Sequence, residues 1–73
     1  MPEIRIVTEV AGRVCALPVA AGSSVNGGED IAFVEAMKME IPVASPVAGK
    51  LKAFLVQIDE VVAEGQVLAI VET

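Results

Sequence analysis

The chain has 73 residues, a formal net charge of −5, no histidine and one cysteine. This length allows one small domain, which is too short for an enzyme with a cleft of ordinary size. The acidity, together with the lack of a basic cluster, tyrosine and tryptophan, argues against a nucleic-acid partner.

Other classes are excluded by simple counts. A lone Cys15 in a chain without histidine allows neither an internal disulfide nor a Cys/His metal site. The longest uncharged run, Val14 to Gly28, is too short and too interrupted to cross a membrane. Residues 1–6 lack the basic-then-apolar pattern of a secretory signal, so we expect a cytoplasmic protein. Hydrophobic residues make up 55% of the chain but include only two phenylalanines, which favours a small β-sandwich or barrel.

Short β-rich segments and turns alternate along the chain. The first half predicts strands at Ile4–Val7, Arg13–Val19, Val25 and Ile31–Glu35. The second half predicts strands at Ile41–Ala44, Lys50–Val56, Val62 and Val67–Glu72. Glycine-containing turns separate most of them, and few residues are left for a helix.

The two halves are an internal repeat. A shift of 37 residues aligns 2–35 with 39–72 without a gap, and twelve of the 34 aligned pairs are identical, among them Val10/Val47, Gly12/Gly49, Gly28/Gly65 and Glu35/Glu72. Such a short half cannot bury its own apolar face, so we expect the halves to pack around a pseudo-twofold axis in a single domain, 1–73. The predicted core comprises Val14, Leu17, Val19, Val25, Ile31, Phe33 and their repeat partners.

The segment Glu35-Ala36-Met37-Lys38-Met39-Glu40 joins the halves. Because predicted strands flank this segment, it is predicted to form a hairpin with Lys38 at its tip. Tight hairpins favour Asn, Asp or Gly at positions that need a positive φ. Met37 and Lys38 therefore indicate either a functional constraint or a wider turn without positive φ. The same repeat matches Lys38 with Met1, so we expect adjacent chain termini at the end of the domain far from Lys38.

The motif Ala36-Met37-Lys38-Met39 resembles the biotin-attachment site of biotin carboxyl carrier proteins, the biotinyl domains of biotin-dependent carboxylases. The resemblance extends over essentially the whole chain. Three further family elements have counterparts here: Gly-Asp-x-Val-x-x-Gly in Gly22–Gly28, Pro-x-x-Gly in Pro46–Gly49, and Val-x-x-Gly-Gln-x-Leu in Val62–Leu68.

This resemblance implies an all-β flattened barrel or sandwich of two four-stranded antiparallel sheets. Lys38 would carry covalent biotin, attached by a biotin protein ligase, with Ala36, Met37 and Met39 around the attachment point. A biotin carboxylase would load carboxylate, and a carboxyltransferase would pass it to an acyl-CoA or keto acid, so the carrier itself is no catalyst. Ser23 and Asp59 depart from the family turns, and only four residues separate Leu17 from Gly22, so the thumb insertion of some carriers is absent.

Several alternatives remain open from sequence. Lipoyl domains share the fold but present Asp-Lys-Ala at the tip, and an unmodified interaction module is a third reading. Met37 and Met39 are either core residues or exposed flanks of the lysine; their place at a turn favours exposure. Glu35 and Glu40 either solvate the rim or help a ligase to recognise the hairpin. The repeat pairs Cys15 with Lys52, which predicts a partly exposed cysteine.

Overall fold

The computed structural model describes residues 2–73, and Met1, the repeat counterpart of Lys38, lies outside the described residues. The described chain forms eight strands and no helix, so it also has no helix that could cross a membrane. The strands are β1 (Glu3–Val7), β2 (Gly12–Ala16), β3 (Ser24–Val25), β4 (Asp30–Ala36), β5 (Met39–Ala44), β6 (Gly49–Phe54), β7 (Val61–Val62) and β8 (Val67–Glu72).

The strands form two four-stranded antiparallel sheets with orders β1-β8-β6-β3 and β5-β4-β2-β7. A shift of 37 residues relates each strand of one sheet to the strand at the same place in the other. The predicted all-β class and paired sheets are confirmed. The sheets are not closed into a barrel, so the fold is a sandwich. Pro42 lies in the edge strand β5, where its missing N–H is tolerated.

Turn contacts repeat between the halves with nearly the same geometry. The buried Thr8 hydroxyl donates a hydrogen bond to the Val10 carbonyl at 2.7 Å, and the buried Ser45 hydroxyl donates one to the Val47 carbonyl at 2.6 Å. Each of these hydroxyls therefore has a partner inside the protein, which a buried polar group needs. The same small polar motif thus shapes the turn after β1 and the turn after β5.

The core is aliphatic and lies between the sheets. Its fully enclosed larger side chains are Val14, Ile31, Val34, Leu51, Val62, Leu68 and Val71. The sequence placed Val14, Val25 and Ile31 in the core correctly, and Leu17 and Val19 pack against it while partly exposed.

Phe33 was wrongly predicted to belong to this core. It is half-buried and faces outward, as does its counterpart Ile70. The pairing of β4 with β5 shifts register between Asp30 and Ala32, and Ile31 and Ala32 are both buried in succession. This irregularity moves the inward phase to Val34, so strict alternation from Ile31 gives the wrong face for Phe33.

The chain termini are adjacent. The Thr73 N–H donates a hydrogen bond to the Pro2 carbonyl at 3.0 Å, and Glu3 pairs with Glu72 in the neighbouring register position. At the repeat-related position, Ala36 pairs with Met39 beside the hairpin turn. The termini thus take the place in one sheet that the hairpin takes in the other, within a domain 36 Å long and 18 Å wide.

Candidate functional site

The hairpin that joins the two halves has a two-residue loop. Ala36 and Met39 are paired, which leaves only Met37 and Lys38 in the turn. Both have positive φ, 52° for Met37 and 64° for Lys38. Positive φ at both central positions is the signature of a type I′ turn, whose twist matches that of the flanking strands. Of the two explanations left open by the sequence, the wider turn is therefore wrong.

The turn holds its side chains out in solvent. Met37 is 94% exposed and Met39 63% exposed, and Lys38 and Glu40 are also exposed, while Ala36 is half-buried. A core role for the two methionines is thus wrong, and their exposure is as predicted. Such exposed methionines give little packing energy to the fold, so burial of these side chains does little to offset the type I′ strain at Met37 and Lys38.

Lys38 has no partner in the part of the chain that the structure describes. None of the salt bridges or side-chain hydrogen bonds among residues 2–73 involves its ammonium group. Lys52, in contrast, is paired with Glu3. A lysine at a turn tip, exposed and free of a carboxylate, is sterically open to an incoming enzyme.

A charged cluster lies at the base of the hairpin. Arg13 of β2 donates from one guanidinium nitrogen to the Glu35 carboxylate at 2.9 Å and from the other to the Asp59 carboxylate. The hydrogen bond to Glu35, reinforced by its charge and by Asp59, raises the pKa of Arg13 above its usual value. This cluster connects the hairpin strand β4 to the loop between β6 and β7.

Asp59 occupies a position that glycine fills in the other half. Its φ is 77°, and the repeat counterpart Gly22 has φ 94°. Asp59 donates its backbone N–H to the Val14 carbonyl at 2.7 Å, as Gly22 does to the Leu51 carbonyl at 2.6 Å. The turn geometry is thus conserved between halves, while the aspartate adds a carboxylate within reach of Arg13.

The sequence identified the hairpin residues but missed Arg13 as part of the site. Arg13 precedes Glu35 by 22 residues and Asp59 by 46, so local pattern gives no indication of the contact. The departure of Asp59 from glycine was visible in the repeat, and that was the one signal available. Glu35 is held by Arg13, whereas Glu40 has no ion-pair partner among the described residues.

A groove and a lone thiol lie elsewhere in the described part of the protein. A groove of about 250 Å³ lies between residues 7–10 and residues 41–44, away from the hairpin tip. Within residues 2–73 there is no group of three or more His, Cys, Asp or Glu side chains that could hold a metal ion. Cys15 is half-buried, as predicted, and its thiol donates to the Phe33 carbonyl at 3.4 Å.

Several known proteins resemble this chain in sequence. The family model described as "Biotin-requiring enzyme" matches residues 1–73. A biotinylated protein TB7.3 homolog of Mycobacterium leprae is 32% identical over 86% of this chain and 89% of its own length. A biotin/lipoyl attachment protein of Bacillus subtilis is 35% identical over 82% of each chain.

Larger proteins contain a similar part. The alpha subunit of a mitochondrial methylcrotonoyl-CoA carboxylase from Dictyostelium discoideum is 32% identical over 90% of this chain, which spans only 9% of that subunit. The crystal structure of Kluyveromyces lactis urea carboxylase superposes with a TM-score of 0.94 over 99% of this chain and 6% of its own, at 26% identity.

A single-chain, multi-domain long-chain acyl-CoA carboxylase superposes with a TM-score of 0.86, at 29% identity, over 93% of this chain and 7% of its own. The match therefore concerns one small part of each carboxylase. Taken with the two-sheet fold and the exposed lysine hairpin, these similarities show that the chain belongs to the biotin/lipoyl family, whose model is described as "Biotin-requiring enzyme".

Proposed function

We propose that this chain is a single carrier domain that bears biotin covalently on the Nζ atom of Lys38. The observation that carries the proposal is the type I′ turn, which holds an unpartnered, exposed lysine between two exposed methionines. A strained turn of non-glycine residues is retained in folded proteins where the surrounding structure and function demand it. Ala36 and the two methionines then form the immediate surroundings of the modified lysine.

Attachment requires a separate enzyme. Lysine amines are almost fully protonated near neutral pH, and the hairpin has no base placed to remove the proton. A biotin protein ligase would supply biotin with its carboxyl group already activated and would accept Lys38 in its own active site. The deprotonated Nζ attacks the carbonyl carbon, an amide bond forms, the activating group departs, and the amine proton passes to solvent.

The carrier role follows from position and tether. Bound biotin supplies a ureido ring that can carry carboxylate between a biotin carboxylase and a carboxyltransferase. The protein's own contribution is to hold the attachment point on an exposed turn between β4 and β5 of one sheet. A tethered group visits two active sites at a high effective concentration. The carboxylases among the structural neighbours support this role for the chain.

The test is the intact mass of the protein after incubation with biotin protein ligase, biotin and ATP. We expect one biotinyl group on the wild-type chain and none on Lys38→Arg, which keeps the charge but removes the primary amine. Lys50→Arg is the matched control, because Lys50 is also exposed; it should be modified like wild type. Unmodified wild-type protein, or a biotinylated Lys38→Arg variant, would overturn the proposal. A lipoyl adduct formed with a lipoyl ligase instead of biotin would indicate a lipoyl carrier.

A further inference from the structure

Large exposed apolar side chains are unevenly distributed between the repeat-related parts of the protein. Besides Met37, Met39 and Val7, the described chain exposes Leu55, Ile58 and Val61, with Val61 77% exposed. Leu55 and Ile58 lie in the loop after β6, and Val61 lies in β7; residues 55–62 are called the β6–β7 segment. Their repeat counterparts are Pro18 and Ala21, in the loop after β2, and Ser24 in β3. The repeat thus serves as an internal control: the same backbone carries larger apolar side chains in one copy only.

The β6–β7 segment is directly connected to the hairpin. Val61 pairs with Arg13, Arg13 pairs with Glu35, and Glu35 pairs with Glu40, so these four residues form one row across the second sheet. Paired residues point to the same face of a sheet. With strands about 4.8 Å apart, Val61 lies roughly 10 Å from Glu35. The ion pairs of Arg13 with Glu35 and Asp59 hold the two segments together.

We propose that Ile58 and Val61, with the row Arg13–Glu35–Glu40, form the surface on which the biotin protein ligase docks. This inference rests on the proposed function of Lys38. The ligase acts on the unmodified lysine, the shortest form of the arm, so its surface must approach the hairpin within one lysine side chain. The carboxylase active sites meet an arm lengthened by biotin and can be reached from further away.

An interface of ordinary size that is centred on the hairpin would also include the row from Val61 to Glu40. A standard protein interface buries about 800 Å² on each partner, which extends well past 10 Å from its centre. Exposed apolar side chains beside charged ones are the composition expected of an interface core with a polar rim. Val61 and Ile58 supply the apolar part, and Glu40 the charge left without a partner in the described chain.

The experiment replaces the apolar residues by their own repeat counterparts. The variant Ile58→Ala/Val61→Ser carries the side chains of Ala21 and Ser24. Initial rates of biotin transfer by purified biotin protein ligase are measured over a range of unmodified carrier concentrations. We expect KM for the carrier to rise about tenfold with kcat almost unchanged, because truncation removes docking contacts and leaves Lys38 in place.

The matched control is Ala21→Ile/Ser24→Val, which creates the same apolar pair in the other copy and should leave KM within twofold. Both variants change exposed positions, and thermal unfolding checks that each is folded. A KM within twofold of wild type for Ile58→Ala/Val61→Ser would overturn the docking surface. So would normal ligase kinetics combined with impaired carboxylation of the biotinylated variant, which would assign the surface to a carboxylase partner. Failure of wild-type protein to accept biotin would instead refute the proposed function.

Discussion

The hairpin and the paired termini are repeat-related, but their surroundings differ. The row next to the hairpin is Val61–Arg13–Glu35–Glu40, and the row next to the termini is Ser24–Lys50–Glu72–Glu3. Each row contains one basic residue, Arg13 or Lys50, with an uncharged residue on one side and a glutamate on the other. Near the hairpin, however, Arg13 forms ion pairs with two carboxylates, those of Glu35 and Asp59. The row there ends in an apolar residue, Val61. The protein thus departs from its own symmetry around the lysine that we propose to be modified.

The shared frame of the two halves should respond alike to mutation of matched core residues. Ile31 and Leu68 are repeat counterparts, and both are fully buried. We expect Ile31→Ala and Leu68→Ala each to lower the free energy of unfolding by about 2–5 kcal/mol, because each leaves a cavity between the sheets. Urea denaturation measures both. A loss confined to one variant would show that the halves do not contribute equally to the core.

Phe33 provides the control for that experiment. Because its side chain is half-buried and faces outward, Phe33→Ala should cost less than either core substitution, although phenylalanine is the larger residue. A cost of about 3–5 kcal/mol, the range for a buried aromatic, would contradict the outward orientation.

Matched glycines should give the next largest effect. A Cβ on Gly12 would overlap the Glu35 carbonyl oxygen, and a Cβ on Gly49 would overlap the Glu72 carbonyl oxygen in the same way. We expect Gly12→Ala and Gly49→Ala each to destabilise the fold by about 1–3 kcal/mol, because the neighbouring strand must move. Gly27→Ala is the control, since its nearest neighbour would be 3.6 Å away; unequal losses at Gly12 and Gly49 would break the comparison between the two ends.

A smaller effect on stability is expected from Met37 in the hairpin turn, which has no equivalent turn at the chain termini. Met37 has φ 52° and an exposed side chain. Met37→Gly should be more stable than Met37→Ala by about 0.5–1 kcal/mol, because glycine avoids the cost of left-handed backbone but loses more entropy on folding. Chemical denaturation of the two variants measures the difference. Equal stability would mean that Met37 is unstrained in solution.

The smallest expected effect concerns the ion pair between Lys52 and Glu3, near the chain termini. Lys52 lowers the pKa of Glu3 chiefly through their hydrogen bond, and the same bond raises the pKa of Lys52. A lowered carboxyl pKa means that the stabilisation is present above the pKa of the unfolded chain and is lost as pH falls through the folded value. Lys52→Gln should therefore lower Tm slightly at pH 7 and hardly at all in acid.

Lys50→Gln is the control for that measurement, because Lys50 forms no salt bridge among the described residues. A Tm difference between wild type and Lys52→Gln that grows as the pH falls would reverse the predicted sign. The pair has no equivalent near the hairpin, where Cys15 and Glu40 take the two positions.

The two equivalent halves and the hairpin at Lys38 could be predicted from the sequence, because the repeat and the turn residues determine them. Twelve identities at a constant shift required two equivalent halves, and the strands flanking Lys38 required a hairpin there. Phe33 was assigned to the wrong face, since alternation does not indicate where the register shifts. The contact of Arg13 with Glu35 and Asp59 was also out of reach, because it depends on which strands become neighbours across the fold.

The central claim is that Lys38 of the hairpin, and no other lysine, receives the biotin. The most direct test is to biotinylate the wild-type protein with purified ligase, cleave it and locate the modified residue by tandem mass spectrometry. We expect biotin on Lys38 alone, although Lys50 and Lys52 are also exposed. Biotin on Lys50 or Lys52, or no modification at Lys38, would contradict it.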